Sequence, residues 1–314
     1  MSRPIHLGLD IGGTASRWVA CTPAGEVLGR GKVSGATGHI FNPAEKDRLD
    51  AVLRAVRQAL GDAGLEPVSI TAGITGYGSA VATEVAALVE AIFAVDAAAI
   101  LLIDDIVLAY VAHFAPGQGH LVSAGTGSIG IHVTAAGDTV RVGGRGILID
   151  DAGSGSWIAL EALDRLYRIL DRDGSFAAAQ PLADHLFALV GGREWHDVRQ
   201  FIYGGDRGRI GTLAVAVGRA AGEGDELALA ILRQAGVELA QLGSALLSRA
   251  GEHPLRFVGG VLDLHPAIFA EITASLAGHD VSRAEGDAAL AAAQLQAGRH
   301  RAWMALLTRQ LPAN

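Results

Sequence analysis

The chain opens with Ile5-His6-Leu7-Gly8-Leu9-Asp10-Ile11-Gly12-Gly13-Thr14, an apolar run that ends in an acidic residue and a glycine turn. The run predicts a buried strand, and the turn leads into a second apolar strand, Trp18-Val19-Ala20-Cys21, so we expect a β-hairpin. Glycines in such a turn bring backbone N–H groups close to phosphate oxygens because no Cβ atom obstructs them. The carboxylate at the strand end can hold a metal ion or take a proton.

Three further segments repeat this pattern of an apolar run followed by glycines or acids. They are Asp104-Asp105, Gly125-Thr126-Gly127-Ser128 and Gly259-Gly260. One such turn is weak evidence, whereas the ordered set of four indicates a cleft that holds a nucleotide.

Strands and helices alternate between the first two of these segments. After a polar loop through Asn42, apolar residues recur at helical spacing from Leu49 to Leu60. Two more strands are predicted at Val68–Ile74 and Ala99–Ile103, with a helix between them from about residue 80 to residue 93. This is the pattern of parallel crossover units in an α/β protein.

Pro116-Gly117-Gln118-Gly119 interrupts the pattern, which then partly restarts. Strands are predicted at His120–Ala124, Ile129–Thr134 and Thr139–Val142, as in the opening hairpin, and a last strand at Leu255–Val258. We therefore predict two related lobes with the nucleotide in the cleft between them. Residues 1–118 form the N-terminal lobe, joined by a C-terminal helix at about 289–314, and residues 119–288 form the C-terminal lobe. Helices in the second lobe are predicted at Ser156–Leu170, Leu213–Gly222 and Glu226–Ala250.

Charge and composition exclude several classes of function. The formal net charge is −8 and the chain has two lysines, Lys32 and Lys46, so it lacks the basic face that nucleic acid requires. The single cysteine, Cys21, excludes an internal disulfide and a multi-cysteine metal site within one chain. With no signal peptide and no apolar stretch of about 18 residues, a cytoplasmic protein without a membrane partner is expected.

Two common phosphate and metal motifs are missing from the sequence. There is no Gly-x-x-x-x-Gly-Lys-Ser/Thr segment, so a P-loop is excluded, and no His-Glu-x-x-His pair. Carboxylates with Mg²⁺ are therefore the more natural metal chemistry for this chain.

The order of the four segments resembles the sugar kinase, heat-shock ATPase and actin superfamily, and the match spans nearly the whole chain. Within it, Val142-Gly-Gly-Arg-Gly-Ile-Leu-Ile-Asp-Asp-Ala-Gly-Ser-Gly155 resembles the signature of the N-acetylglucosamine kinase and glucosamine kinase family. That family is grouped with the activator ATPases of acyl-CoA dehydratases and reductases. The resemblance implies an α/β, actin-like ATPase fold with two related ribonuclease H-like lobes, each a mixed β-sheet flanked by helices.

The resemblance also implies the nucleotide contacts, with ATP and Mg²⁺ as cofactors. Asp10 would bind Mg²⁺ through water, and the turn after it would approach the β- and γ-phosphates. The nucleotide-binding residues implied in this way are Gly12, Gly13 and Thr14 in the first turn, Gly125, Thr126, Gly127 and Ser128 in the opposing phosphate loop, and Gly259 and Gly260 beside the adenosine.

By the same resemblance, Asp105 would accept the proton of the attacking sugar hydroxyl, with phosphorylation at O6. Asp151, Gly143 and Gly144 would hold sugar hydroxyls, and Asn42 is a candidate sugar contact. The partner is a small-molecule amino sugar, and a homodimer is expected because relatives often form one.

Each assignment has a structural alternative. Asp10 could cap its turn, Asp151 could lead the following helix, and the glycine segments could be plain turns. Asp104 is expected to be a solvent or capping group, because adjacent residues in an extended segment point in opposite directions.

The substrate and two other functions stay open at this point. Arg145 favours glucosamine, since N-acetylglucosamine kinases commonly carry tryptophan in this position. An activator-type ATPase would need two cysteines per subunit for its bridging iron–sulfur cluster, and this chain has one. A non-catalytic sugar sensor of the same fold is the third alternative.

Overall fold

The structure is a computed structural model that describes residues 2–205 and 207–310. The described residues form ten strands and twelve helices, apart from short 3₁₀ turns. The strands are β1 (Arg3–Ile11), β2 (Ala15–Cys21), β3 (Val27–Ser34), β4 (Leu65–Ile74), β5 (Ile100–Asp104), β6 (His120–Ala124), β7 (Ser128–Val133), β8 (Thr139–Gly143), β9 (Leu255–Val258) and β10 (Val281–Arg283). The helices are α1 (Pro43–Asp62), α2 (Ala82–Phe93), α3 (Asp105–Val111), α4 (Gly155–Asp173), α5 (Gln180–Val190), α6 (Trp195–Tyr203), α7 (Arg207–Gly211), α8 (Ala214–Gly222), α9 (Glu226–Ala250), α10 (Pro266–Ser275), α11 (Ala288–Gln296) and α12 (Arg301–Gln310).

The chain divides into two compact units, each with its own sheet. Unit 1 comprises Met1–Gln118, Val133–Asp138 and Gly286–Asn314, and unit 2 comprises Gly119–His132 and Thr139–Glu285.

Unit 1 is built on a five-stranded mixed sheet with the strand order β3-β2-β1-β4-β5. β1 is antiparallel to β2 and parallel to β4, which is in turn parallel to β5. Side chains of β2 alternate between the two faces, as a strand requires. Trp18 and Ala20 lie in the cluster that holds the apolar residues of α1, whereas Val19 and Cys21 pack against Ala289 of α11. Helices therefore cover both faces of this sheet.

Unit 2 is built on a second five-stranded mixed sheet with the order β10-β9-β6-β7-β8. β6 is antiparallel to β7 and parallel to β9, and β9 is parallel to β10. The long helix α9 contacts both β6 and β8, and most helices of this unit share one apolar core. A three-stranded meander followed by two parallel strands thus occurs in both units. The expected fold class, two related lobes with mixed sheets flanked by helices, is confirmed.

Several elements differ from the sequence prediction. The polar loop before Asn42 contains β3, an edge strand whose residues are mostly exposed or half-buried and which therefore lacks an apolar run. A further strand, β10, follows β9, and the helices α5, α6, α7 and α10 were not predicted. Within the segment predicted as one C-terminal helix there are two, α11 and α12, with Gly298 between them at φ +75°. Residues 311–314 of that prediction lie outside the described residues.

Among the residues that the structure describes, no helix combines the length and the apolar character needed to cross a membrane.

Candidate functional site

Asp10 lies near the end of β1, opposite Arg17 of β2 in the hairpin register. The Arg17 Nη1 and Asp10 Oδ2 atoms are 3.6 Å apart, and the Asp10 side chain is 23% exposed. Burial raises the pKa of Asp10, the charge of Arg17 opposes that rise, and the charge of Asp287 adds to it. The result is a half-buried carboxylate at a strand end with one cation beside it.

The turn after Asp10 forms as predicted, but part of its hydrogen-bonding capacity serves the turn itself. The Gly12 N–H donates to the Ala15 carbonyl at 3.2 Å, and the Ala36 N–H donates to the Gly12 carbonyl at 3.1 Å. Gly13 and Thr14 lie at the tip, where Thr14 is exposed. The Gly12 N–H group already donates within the hairpin. Phosphate contact by Gly12, Gly13 and Thr14 stays a prediction.

Asp105 is the first residue of α3 and directly follows β5. The Thr75 hydroxyl, at the end of β4, donates a hydrogen bond of 2.5 Å to Asp105 Oδ2. Helix α3 reaches this point because Gly73 of β4 has no side chain: a Cβ atom there would lie 2.6 Å from the Leu108 side chain. A missing side chain in one strand therefore allows the helix that carries Asp105 to lie against β4.

The pKa of Asp105 is raised to about 7 by burial, then by its hydrogen bond to the Asp104 carboxyl group, and further by the charges of Asp104 and Asp10. The Thr75 hydrogen bond acts in the opposite direction because it stabilises the carboxylate. A group with a pKa near neutrality can both accept and release a proton at physiological pH.

The expectation that Asp104 and Asp105 point in opposite directions is wrong. It assumed an extended segment, whereas the chain leaves β5 at Asp104, which has strand-like φ and ψ, and enters α3 at Asp105. The Asp104 side chain nevertheless lies close enough to raise the pKa of Asp105.

The loop at residues 38–42 lies against the Thr75 segment, a contact that the sequence did not predict. The Gly38 N–H donates to the Thr75 carbonyl at 2.8 Å, and a Cβ atom on Gly76 would lie 2.3 Å from the His39 ring. Asn42 is exposed, and its Oδ1 caps α1 by accepting from the Ala44 N–H at 3.0 Å. The sugar contact predicted for Asn42 stays a prediction. About 36 residues separate the loop from Thr75, so no local spacing could have indicated their contact.

In unit 2, the turn at residues 125–128 joins β6 to β7 and also supports the start of α4. The Gly125 N–H donates to the Gly127 carbonyl at 2.9 Å. The Gly155 N–H donates to the Gly125 carbonyl at 2.8 Å, and the Ser156 N–H to the Thr126 carbonyl at 3.3 Å. The turn is therefore held in place by the first residues of a 19-residue helix.

Ser128 faces inward at the end of this turn. Its hydroxyl is buried and donates to the Ala152 carbonyl at 2.7 Å. The hydroxyl thus holds the loop around residue 152 in place. A phosphate contact by Ser128, which stays a prediction, would therefore have to come from its backbone N–H.

Asp151 is 5% exposed and lies beside Gly127 of the turn at residues 125–128. A Cβ atom on Gly127 would lie 3.1 Å from Asp151 Oδ1. Its Oδ2 atom is buried without a hydrogen-bond partner among the described residues. Burial raises the pKa of Asp151, while the charge of Arg207 is the main influence that lowers it. A buried acceptor in this state has capacity for one more donor.

The signature segment that follows β8 is an exposed loop beside Asp151. Gly143 and Gly144 have φ values of +65° and +70°, and Gly143 lies near the Ser128 carbonyl. Arg145 pairs with Asp150 at 2.7 Å. The structure therefore brings Gly143 into the group formed by Gly127, Ser128 and Asp151, whereas the sugar contacts of Gly143, Gly144 and Asp151 stay predictions.

Gly259 and Gly260 follow β9 and begin a short 3₁₀ turn, Gly260–Asp263. Gly259 has φ +110°, and a Cβ atom there would lie 2.3 Å from the Ala124 carbonyl oxygen. Both glycines are exposed. The position demands glycine for conformation and for space, and contact with adenosine stays a prediction.

The residues present fit a magnesium ion that arrives with a nucleotide. Among residues 2–205 and 207–310, no group of three or more histidine, cysteine or acidic residues could hold a metal ion by itself. Mg²⁺ does not need such a group, because it keeps several waters and takes one or two carboxylates together with phosphate oxygens. Asp10, half-buried beside a turn without side chains at Gly12 and Gly13, is the residue that would hold it.

Comparisons with known proteins show the family of the chain. The model of the BadF/BadG/BcrA/BcrD ATPase family matches residues 7–282. A candidate N-acetylglucosamine kinase from Chromobacterium violaceum, known from its crystal structure, is 25% identical with a TM-score of 0.70, covering 94% of this chain and 100% of that one.

Two structures of lower sequence identity share the actin-like fold. A candidate N-acetylglucosamine kinase from Porphyromonas gingivalis is 16% identical with a TM-score of 0.74, covering 94% of this chain and 99% of that chain. A ROK family glucokinase from Streptomyces griseus, solved with glucose and AMPPNP, is 18% identical with a TM-score of 0.57, covering 92% and 97%. No curated protein matches the chain.

Proposed function

Because the chain belongs to the BadF/BadG/BcrA/BcrD ATPase family, we propose that it transfers the γ-phosphoryl group of ATP to O6 of an amino sugar, glucosamine or N-acetylglucosamine. The observation that carries the proposal is Asp105, a half-buried carboxyl group that accepts a hydrogen bond from the Thr75 hydroxyl and whose pKa is raised to about 7. The likeness to the C. violaceum protein over 94% of this chain supports the sugar as acceptor.

The reaction requires one proton to be removed and one bond to be exchanged. The sugar hydroxyl oxygen forms a bond to the γ-phosphorus, the bond from that phosphorus to the bridging oxygen breaks, and ADP leaves with the bond's electron pair. Asp105 takes the hydroxyl proton. Phosphoryl transfer depends chiefly on alignment and on neutralising spread charge, so a carboxylate of near-neutral pKa is a sufficient base.

The other predicted residues would bind and orient rather than react. The Gly12–Thr14 turn and the Gly125–Ser128 turn would donate backbone N–H groups to phosphate oxygens, and Gly259 and Gly260 would border the adenosine. Asp10 would hold Mg²⁺, which neutralises phosphate charge when bound. Asp151, with an unpartnered buried oxygen, would accept a hydrogen bond from a sugar hydroxyl.

Cys21 bears on the activator alternative. It is the only cysteine of the sequence, and it is completely buried in β2 against α11. A thiol in that environment cannot reach a cluster on the surface, and burial raises its pKa, which disfavours the thiolate that iron binds. This observation favours the kinase over an iron–sulfur activator.

The test is an ATP-coupled assay over glucosamine, N-acetylglucosamine, N-acetylmuramic acid, glucose and N-acetylmannosamine, with the phosphorylated position read by NMR. We expect turnover with one of the first two sugars and a product phosphorylated at O6. ATP hydrolysis that no sugar stimulates but a partner protein does would overturn the kinase and support the activator. Tight sugar binding in calorimetry without turnover would support a sensor instead.

A further inference from the structure

The loop that lies against the Thr75 segment carries an exposed aromatic ring. We propose that Phe41 is a sugar-binding residue, whose ring packs against the C–H face of the amino sugar whose hydroxyl Asp105 deprotonates. The inference rests on the proposed function for the identity of the ligand, but contact between the sugar and the ring can be observed without ATP and without turnover.

Phe41 differs from every other phenylalanine of the chain in its exposure. All eight phenylalanines lie within the described residues, and the other seven are buried or half-buried, whereas Phe41 is 79% exposed. Its neighbour Ile40 is 6% exposed and packs into the apolar core of unit 1. The core thus holds the loop through Ile40, while the Phe41 ring keeps apolar area in water that contact with a ligand would remove.

The backbone that carries the Phe41 ring is fixed at both ends. The Asn42 N–H donates to the His39 carbonyl at 3.0 Å, so residues 39–42 form a β-turn with Phe41 as its third residue. Asn42 also caps α1, since its Oδ1 atom accepts from the Ala44 N–H. A ligand that meets the ring therefore orders little additional backbone, which favours binding.

The contacts of this turn link the ring to the proposed base. The ring centroids of His39 and Phe41 are 5.6 Å apart. The His39 ring also covers Gly76, where a Cβ atom would lie 2.3 Å from the His39 Nε2 atom. Gly76 follows Thr75, whose hydroxyl donates to Asp105 Oδ2 at 2.5 Å. Two aromatic rings and one carboxylate therefore lie around the short segment that follows β4, all within unit 1.

This combination of groups matches the chemistry of a hexosamine. In the β-pyranose form of glucosamine, the C–H bonds at C1, C3 and C5 point to one face of the sugar ring and form an apolar patch. An aromatic ring covers such a patch without burying a hydroxyl, and the negative face of its π system attracts the C–H hydrogens. Sites for small ligands commonly combine aromatic side chains with a few polar groups that fix the orientation. Phe41 would thus bind the sugar, and Asp105 would receive its hydroxyl proton.

The kinetic experiment measures kcat and KM for the sugar in the wild type, Phe41→Ala, Phe41→Trp and Tyr203→Ala. Tyr203 is also 79% exposed but lies on α6, so its variant removes an equally exposed ring in unit 2. Phe41→Ala should raise the sugar KM about tenfold while kcat and the KM for ATP stay within about threefold, because the ring binds sugar and takes no part in proton transfer. Phe41→Trp, which keeps an aromatic face, should return the sugar KM to within about threefold of the wild type. An unchanged sugar KM in Phe41→Ala, or an equal rise in Tyr203→Ala, would overturn the proposal.

A second measurement separates this inference from the proposed function. Protein labelled with ¹³C in its phenylalanine rings is titrated by NMR with glucosamine and with N-acetylglucosamine in the absence of ATP. The Phe41 signal is assigned as the one that is missing from Phe41→Leu. With at least one of the two sugars, nuclear Overhauser effects should connect the Phe41 ring protons to C–H protons of the sugar. No such effect with either sugar would overturn the inference, even if the wild type phosphorylates one of them. Contact with the ring in a protein that shows no sugar turnover would overturn the proposed function alone and support the inference.

Discussion

The two units share one strand order but differ in the groups at their strand ends. In unit 1, the central strand β1 ends near Asp10 and the outer strand β5 ends at Asp104, followed by Asp105. In unit 2, the corresponding strands β6 and β10 end at Ala124 and Arg283. The acid of unit 2 comes instead from the loop after β8, as Asp151. One sheet topology thus presents different side chains in the two units, and the proposed function assigns proton chemistry to the first and sugar binding to the second, since function depends on the residues at the strand ends rather than on the sheet.

Burial shifts the pKa values of ionisable groups in both units, upward for acids and downward for histidines. In unit 1, burial and neighbouring acids raise the pKa of Asp105. In unit 2, His120, His132 and His253 form a cluster with ring centroids 5.0 to 5.2 Å apart. Burial lowers the pKa of His120 to about 4 and also lowers that of His132. Both effects follow from the cost of burying a charge, which disfavours the ionised carboxyl group and the protonated imidazole alike.

The largest expected effect comes from removing the base of unit 1. Asp105→Asn should lower kcat by about 10² to 10⁴ because a positioned general base contributes that much to proton transfer. Calorimetry should show sugar and ATP binding unchanged within about threefold, because the amide retains the shape of the side chain. The surface variant Asp47→Asn is the matched control. Near-normal turnover in Asp105→Asn would mean that Asp105 is not the base, and unit 1 would then not differ from unit 2 in supplying the proton acceptor.

The second prediction concerns the turn at Gly259 in unit 2. Gly259→Ala should lower the free energy of unfolding by about 3 kcal/mol, since alanine is strained at φ +110° and its Cβ would meet the Ala124 carbonyl at 2.3 Å. Gly278→Ala is the control, because Gly278 has φ +94° but no heavy atom within 4 Å of the added Cβ. Urea denaturation measures both variants. Equal losses would mean that backbone strain alone, and not contact with β6, makes glycine necessary there.

The third effect concerns acid stability. The pKa of folded His120, about 4, lies below the ordinary value of 6.5, so the folded chain binds fewer protons than the unfolded chain between these pH values. Stability should therefore fall as the pH drops from 6.5 to 4, by about 2 kcal/mol for this residue. His120→Gln, which keeps a donor for the Gly251 carbonyl, should reduce the loss, whereas the exposed His196→Gln should not. Denaturant titrations at pH 7, 5.5 and 4 measure the free energy of unfolding of the wild type and both variants. An equal dependence of this free energy on pH in both variants would contradict the prediction.

The smallest effect concerns binding in unit 2. Asp151→Asn should raise the KM for the sugar about tenfold, equivalent to about 1.4 kcal/mol, because one oxygen that accepts a sugar hydroxyl becomes an amide donor. The kcat should stay within about threefold of the wild type, in contrast to Asp105→Asn. Asp150→Asn, at the neighbouring exposed acid that pairs with Arg145, is the control. An unchanged sugar KM in Asp151→Asn would mean that its carboxylate only supports the turn.

The parts of the site that sequence could predict are those that depend on neighbours along the chain. The strands β6 and β9 and the helix α9 have the bounds that periodicity predicted. The hairpin turns after Asp10 and after Ala124 followed from apolar runs that end in glycine. The edge strand β3 escaped prediction because all of its residues are exposed or half-buried, so no apolar alternation marks it.

By itself, the sequence determined the fold class and the order of the turns and acids, because apolar periodicity and turn residues act over a few positions. Only the tertiary structure decided how those groups pair. It brings the Thr75 hydroxyl to Asp105 and turns the Ser128 hydroxyl toward Ala152. Such pairings depend on the close packing of distant segments and on burial, which no local pattern encodes.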